Sequence, residues 1–170
     1  AEAKSRGLPV TAEVTPHHLL LTDGAVVGYD TACRVNPPLR EEQDVAALRR
    51  ALADGTIDAI ATDHAPHSPL EKDVEFAEAS PGMMGLELCF GLLVQLVGRD
   101  GLTLARLVDA MSQAPARVIG IEPPRIREGA RAELTLVDPQ ARWIPAERRL
   151  QTKSLNSPFL KSELGSKILM

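Results

Sequence analysis

The 170-residue sequence predicts an α/β protein built on parallel strands. Residues 8–14 (LPVTAEV) and 57–62 (IDAIAT) are short, apolar and rich in β-branched side chains, which is typical of buried strands. A polar loop and then a helical segment follow each of them, the order expected of βα units. All four histidines lie directly after these two segments. We therefore expect the reactive residues at the carboxyl ends of the strands.

Three helices are predicted. Residues 102–119 form one, with Thr103 as N-cap and Gly120 as the stop signal. The apolar segment 86–97 predicts another that packs against the sheet, and it is too short to span a bilayer. The third covers residues 41–54, where acidic residues lead and apolar residues recur at helical spacing, namely Val45, Leu48 and Leu52.

The pattern changes near Pro123-Pro124. Residues 132–137 (AELTLV) alternate like a half-buried strand, and Asp138-Pro139 is predicted to end it. We therefore divide the chain into residues 1–124, the βα portion, and residues 125–170, part of a small β-rich domain.

Composition excludes several classes of protein. The formal net charge of -4 provides no basic field for nucleic acid or an anionic membrane. Cys33 and Cys89 lack metal or redox spacing, and no secretion signal is present, so reduced thiols in the cytoplasm are expected. Residues 1–7 resemble a helix end without a beginning, and residues 167–170 (KILM) start an unfinished apolar stretch. We expect the chain to be a piece of a longer protein.

Asp63 is the leading candidate for chemistry. At a strand end its carboxylate can bind a divalent metal and exchange a proton with metal-bound water; the alternative is a helix N-cap. His64 and His67 flank the stiffening Pro66. Either histidine can bind an anion, orient Asp63 or fill space.

The other candidates leave more alternatives open. If His17 and His18 continue the strand, they point to opposite faces, so at most one faces the site; a structural role is favoured over metal ligation. Glu13 is a ligand or orienter, or a surface ion-pair partner. Asn36, at the end of the loop of residues 22–40, can present its amide to a planar imide, or can simply form a turn.

Five motifs together resemble the class I dihydroorotases, in order and at similar spacing. The resemblance implies the C-terminal part of an amidohydrolase TIM barrel, with strands seven and eight, followed by part of a small β-sandwich. The motifs are VTAEVTPHHLLLTD (10–23), NPPLR (36–40), DGTIDAIATDHAPH (54–67), PGMMGLE (81–87) and NSPF (156–159).

The resemblance also implies an activity and roles for residues. Dihydroorotases reversibly cyclise N-carbamoyl-L-aspartate to (S)-dihydroorotate in pyrimidine synthesis, at a site with one or two zinc ions. Asp63 would be the strand-eight metal ligand and the acid-base group. It would take a proton from the attacking hydroxide and pass it to the leaving amide nitrogen. The resemblance assigns substrate binding to Asn36, His67, Pro81 and Gly82.

Most of the family's metal ligands match nothing in this chain, so we expect them upstream of it and expect the chain alone to be inactive. Two alternatives remain. One is a hydantoinase- or allantoinase-like cyclic amidohydrolase, to be distinguished by His67 and Asn36. The other is a non-catalytic relative that binds aspartate carbamoyltransferase, to be distinguished by the upstream histidines. A homo-oligomer is expected in either case.

Overall fold

The computed structural model describes residues 1–123, 125–147 and 150–169. Short 3-10 segments and one π-helical turn lie between or extend the main elements. The main elements are α1 (Glu2–Ser5), β1 (Glu13–Val14), α2 (Pro16–Leu20), α3 (Glu42–Ala53), β2 (Ala59–Ile60), α4 (Pro69–Lys72), α5 (Cys89–Leu93), α6 (Leu104–Val108), α7 (Ala114–Val118), β3 (Val137–Trp143) and β4 (Leu164–Ile168).

The predicted parallel pairing is confirmed, although both strands are shorter than predicted. In the β1–β2 pair, Glu13 lies beside Ala59 and Val14 beside Ile60. The first contact is at Ala12, whose carbonyl oxygen accepts from the backbone N–H groups of residues 58 and 59. A strand is defined by its hydrogen-bonded backbone partners. Each strand is therefore only as long as the stretch over which the two segments lie side by side.

The predicted helices are confirmed with irregular geometry. Helix α3 ends one residue before its predicted boundary. The segment 86–97 is helical as a 3-10 turn, α5 and a second 3-10 turn. In the segment 102–119, Thr103 caps α6 by accepting from the Arg106 N–H at 3.1 Å, and a π-helical turn (Asp109–Gln113) joins α6 to α7. Gly120 ends it at a φ of 75°.

Helix α5 and the turn before it join two apolar clusters. Cys89 and Leu93 pack with β1, β2 and α3. Leu88 and Leu92 pack with the loops that follow β1 and β2 in the chain. Residues four apart share one helix face, so these two pairs form adjacent stripes. Burial on both stripes fixes the loops relative to the β1–β2 sheet.

The strand predicted at residues 132–137 is wrong in extent. Strand β3 begins at Val137, includes Pro139, and pairs antiparallel with β4. The pairing is irregular between Asp138 and Arg142. Proline has no backbone N–H, and a bulge is where a strand tolerates that loss.

The β3–β4 sheet packs directly on the helices of the first portion. A Cβ added at Gly91 of α5 would lie 3.1 Å from the Leu164 Cβ and 3.2 Å from the Gly165 carbonyl oxygen. A larger residue at this position would press against β4, so glycine favours the close approach of these backbones. Part of the predicted boundary, Pro124, lies outside the described residues. Among the residues that are described, no helix has the length and apolar character needed to cross a membrane.

Candidate active site at the strand ends

The parallel pairing brings both histidine segments to one edge of the sheet. Because β1 and β2 run in the same direction, residues 15–18 and 61–67 leave the sheet side by side. Both predicted strand-end segments therefore share one location, as expected for a parallel α/β protein.

Asp63 follows β2 with an exposed side chain and a φ of 46°. A positive φ is uncommon for a non-glycine residue, and residues held in such conformations cluster at functional sites. Its carboxylate makes no hydrogen bond or ion pair with the part of the chain that the structure describes. It therefore does not serve as the N-cap that was the alternative prediction, and it is open to a ligand.

His64 connects the TDHAPH segment to the PGMMG segment. Its Nδ1 accepts from the backbone N–H groups of Gly85 and Leu86, each at 3.2 Å. In the neutral ring the hydrogen therefore lies on Nε2. Backbone pairing of His64 with Met83, with the Ala65 N–H donating to the Met83 carbonyl at 3.0 Å, holds the two segments parallel.

His67 is placed between two hydrogen-bond acceptors. Its Nδ1 lies 3.1 Å from a Glu71 carboxylate oxygen, and its Nε2 lies 3.2 Å from the Pro81 carbonyl oxygen. Neither partner can donate, so both bonds form together only when both ring nitrogens carry hydrogen, as in the cationic ring. Hydrogen bonds from the backbone and side chain of Ser68, and then from His67, lower the pKa of Glu71 to about 2.

Gly82 lies against His67. A Cβ at this position would lie 2.5 Å from the Ala65 Cβ and 3.3 Å from the His67 Nε2, and its φ of 130° is strained for any other residue. The Gly82 N–H donates to the Arg34 carbonyl at 2.8 Å. The structure thus brings three predicted residues together: His67, Pro81 and Gly82.

Asn36 is exposed at the cis peptide bond with Pro37. Its loop is joined to the Gly82 segment through Arg34, and to α2 through His18, whose Nε2 donates to the Pro37 carbonyl at 3.0 Å. Among the described residues, no hydrogen bond or ion pair connects the side chains of Asn36 and Asp63 to each other or to His67. These two predicted residues therefore lie on separate loops that are not linked through their side chains.

His17 and His18 lie on α2 and do not continue the strand, so the alternation that would point them to opposite faces of a strand does not apply to them. Helix α2 begins at Pro16, directly after β1. Thr15 is its N-cap, and the Thr15 Oγ1 accepts from the His18 N–H at 3.2 Å. Proline is favoured at the first helical position because its fixed φ suits the helix. Within α2 both rings lie close together, with centroids 4.6 Å apart.

His17 is enclosed rather than open. It is 2% exposed, and its Nε2 has no hydrogen-bond partner among the described residues. Burial, and secondarily the neighbouring His18, lower its pKa from 6.5 to about 4. Glu13, the other uncertain candidate on this strand, is exposed and forms no ion pair within the described residues.

Four residues that support the site were missed. Glu71 belongs to a capping box with Ser68, and the Ser-x-x-Glu spacing was a readable signal. The Lys72 Nζ donates to the carbonyls of Thr31 and Ser80 at 2.8 and 2.7 Å, and burial lowers its pKa. No spacing rule identifies such a buried lysine. Ser154 and Asn156 hold the His67 loop from a distant segment.

The structure also allows a test of whether this chain fits a metal. In residues 1–123, 125–147 and 150–169, no three His, Cys, Asp or Glu side chains are grouped so that they could hold a metal ion. The open Asp63 carboxylate suits one oxygen ligand, whereas a catalytic zinc normally has about three protein ligands. The chain therefore fits part of a metal site.

Comparison with known proteins identifies relatives. A family model for the amidohydrolase family matches residues 8–163. A dihydroorotase from Anaeromyxobacter dehalogenans is 51% identical over 168 residues, covering 98% of this chain and 39% of the relative. A dihydroorotase from Geotalea daltonii is 50% identical over 159 residues, covering 94% of this chain and 37% of the relative.

Solved structures have the same fold. An L-hydantoinase (dihydropyrimidinase) from Arthrobacter aurescens matches 98% of this chain with a TM-score of 0.85 and 27% identity. A D-hydantoinase (dihydropyrimidinase) from Thermus sp. matches 98% with a TM-score of 0.84 and 27% identity. Each match covers 38% of the solved chain. The chain thus spans less than two fifths of the relatives it matches.

Proposed function

The chain belongs to the amidohydrolase family, and we propose that it forms part of a dihydroorotase, which interconverts N-carbamoyl-L-aspartate and (S)-dihydroorotate in pyrimidine synthesis. Identity of 51% to a dihydroorotase over 98% of the chain supports this reaction. The structural observation that carries it is His67, whose two ring nitrogens face acceptors beside Gly82. A ring nitrogen that faces an acceptor beside Gly82 is placed to donate to a substrate carboxylate, and such a charge-assisted hydrogen bond is strong.

Asp63 would carry the proton in this reaction. In the hydrolytic direction its carboxylate would accept a proton from the attacking water and deliver it to the ring nitrogen that leaves the carbonyl carbon. Cyclisation would use the same group in reverse. Its exposure, and its lack of partners among the described residues, leave one carboxylate oxygen available for a metal ion and the other for this transfer.

We propose a zinc-dependent site with one or two metal ions, of which Asp63 would hold one with a carboxylate oxygen. A divalent cation there supplies Lewis-acid activation of water and of the ring carbonyl. The remaining ligands would come from the part of the enzyme that this chain does not contain, and we expect the chain alone to be inactive.

Substrate binding would use the loops around Asp63. His67 would donate a hydrogen bond to the substrate carboxylate, in competition with the Pro81 carbonyl that Nε2 now faces. By the family resemblance the backbone at Pro81 and Gly82 would contact the ring; Pro81 is exposed, and the buried Gly82 adjoins the His67 ring. Asn36, exposed on its own loop, would contact the ureido edge with its amide.

The wider organisation is also proposed. Residues 1–124 would complete an amidohydrolase barrel, and the β3–β4 pair would belong to a small β-sandwich domain. We place the enzyme in the cytoplasm as a homo-oligomer. An association with aspartate carbamoyltransferase stays a prediction from the family resemblance.

A hydantoinase-like activity is the second candidate, because the matched solved structures are hydantoinases with TM-scores up to 0.85. The two candidates differ in the substrate's carboxylate. We expect the complete, metal-loaded enzyme to turn over dihydroorotate with a specificity constant about ten- to a hundredfold above that for hydantoin or dihydrouracil, since a charge-assisted contact contributes about 1.5–3 kcal/mol. Steady-state kinetics on the three substrates tests this. Preference for the uncharged rings would favour the hydantoinase.

A further inference from the structure

We propose that Asn156 is a positioning residue that holds the His67 loop and the Gly82 loop in one fixed arrangement. The inference rests on the proposed function, in which both loops contact the substrate. Asn156 lies 89 residues beyond His67 in the chain and at the start of the NSPF motif. The reaction as proposed above assigns this motif no role.

The Asn156 side chain bridges the two loops with both ends of its amide. Its Nδ2 donates to the Ala65 carbonyl at 2.9 Å and to the Gly82 carbonyl at 3.2 Å. Its Oδ1 accepts from the His67 backbone N–H at 3.2 Å. Reversing the amide would set oxygen against two carbonyls and nitrogen against an N–H donor. Because the residue is only 6% exposed, water cannot relieve such a mismatch, so one orientation is specified.

The surrounding segment reinforces the bridge. The Ser154 hydroxyl lies 2.6 Å from the His67 carbonyl oxygen, to which it can donate, and the Asn156 carbonyl accepts from the Met84 N–H at 3.1 Å. The Glu87 carboxylate accepts from two successive backbone N–H groups of this segment at 2.8 and 2.7 Å. Both backbone polar groups of His67 are therefore held from residues 150–157, and that segment is itself fastened to the Gly82 loop.

The spacing of the two loops leaves little freedom. At Gly82 an added Cβ would already overlap the Ala65 Cβ, and it would lie 3.3 Å from the His67 Nε2. A subsite that uses the His67 ring and the Gly82 backbone together requires both at a fixed separation. Binding groups lose effect when they are misplaced by about 1 Å. Asn156 contacts both loops and makes no contact with the substrate in this scheme, so it acts through them.

A purely stabilising role is the competing explanation, and Ser157 offers a matched control. Ser157 is adjacent in the chain and equally buried at 5% exposed, but its Oγ accepts from the Phe159 N–H within its own segment. Ser157→Ala therefore removes a buried hydrogen bond of the same segment and leaves both loops attached.

The test compares Asn156→Asp, Asn156→Ala and Ser157→Ala in the complete enzyme. Asn156→Asp keeps the shape but sets a carboxylate oxygen against the Ala65 and Gly82 carbonyls. We expect KM for dihydroorotate to rise about tenfold or more in both Asn156 variants, with kcat within about threefold, because ground-state contacts to the carboxylate are lost. KM for uncharged dihydrouracil should rise less, by about threefold or under, because this substrate meets the Gly82 backbone but has no carboxylate for the His67 ring. Ser157→Ala should match the wild type for both substrates.

Hydrogen exchange supplies a readout independent of activity. Backbone amides of residues 62–68 and 81–87 should exchange faster in the Asn156 variants and at the wild-type rate in Ser157→Ala. Should the Asn156 variants not fold, Ser154→Ala removes one bond to His67 and should show the same changes at smaller size.

Different experimental results would overturn the proposed function and the positioning role of Asn156. A wild-type enzyme without dihydroorotate turnover overturns the proposed function. Unchanged exchange in both loops, or equal losses for the charged and uncharged substrates, overturns the positioning role of Asn156.

Discussion

The two histidine segments leave the same edge of the β1–β2 sheet, yet their environments differ. In VTPHH a helix begins at once, and His17 becomes buried with its pKa lowered to about 4. In TDHAPH an extended loop follows β2, Asp63 stays exposed, and His67 is placed between a carboxylate and a carbonyl. His17 is thus fully enclosed in one segment, whereas in the other segment Asp63 is exposed and both histidines are only partly buried.

The difference comes from the residues that precede each histidine. Thr15 and Pro16 form a helix start, which turns the next residues into packing positions between α2 and its neighbours. The positive φ of Asp63 keeps the other segment away from helical geometry, and pairing of His64 with Met83 holds it extended. Three substitutions test whether the open segment carries the chemistry and the closed one the fold.

The largest effect is expected for Asp63→Asn in the complete enzyme. The amide keeps the size and tolerates a positive φ, but it cannot relay a proton at neutral pH. Turnover of dihydroorotate should fall by about 100- to 10,000-fold with the fold intact. Asp100→Asn is the matched control, because Asp100 also has a positive φ, of 48°, and lies far from the strand ends in sequence. Nearly normal turnover in Asp63→Asn would show that Asp63 is not the proton-transferring group of this segment.

His67→Ala should have the next largest effect, and a selective one. Loss of a charge-assisted donor weakens binding of the carboxylate substrate by about 1.5–3 kcal/mol, or about ten- to a hundredfold. The ratio of specificity constants for dihydroorotate and dihydrouracil should fall by that factor. His18→Ala, in the enclosed segment, should leave the ratio unchanged. Equal losses for both substrates in His67→Ala would assign His67 to architecture and strengthen the hydantoinase alternative.

The smallest effect concerns stability and pH at His17. Its pKa is about 4 in the fold and 6.5 ordinarily, so between these values the unfolded chain binds a proton that the folded chain does not. The free energy of unfolding is therefore undiminished above pH 6.5 and decreases as the pH falls toward 4. We expect a loss of about 2 kcal/mol from pH 7 to pH 5 from this residue.

Denaturation of the complete enzyme at each pH measures this loss. His17→Gln removes the titrating ring and should flatten the curve across that range. An unchanged acid sensitivity in His17→Gln would show that His17 is not enclosed as a neutral ring, and the contrast between the two segments would disappear.

Much of this arrangement could be predicted from local patterns. The helix of residues 41–54 could be predicted because its apolar spacing, its acidic first turn and the glycine after it all indicate a helix with the same bounds. The parallel strands and the placement of Asp63 and His67 at their ends followed from the order of strand, loop and helix. The helix at His17 and His18 was missed although Thr15 and Pro16 form a start signal, because these two histidines were considered as a continuation of the strand.

The sequence by itself determined which residues are candidates for chemistry: an aspartate and histidines after two adjoining strands, within motifs resembling the dihydroorotases. Only the tertiary structure decided which side chains form hydrogen bonds with the loops of the site, and with which backbone groups. Asn156 meets Ala65, His67 and Gly82 from about ninety residues away, and Lys72 joins carbonyls of two loops. Such contacts depend on which loops come together when the core packs. Every residue has a backbone carbonyl, so a hydrogen bond to one requires no particular residue type in the partner. No pattern along the chain therefore predicts these contacts.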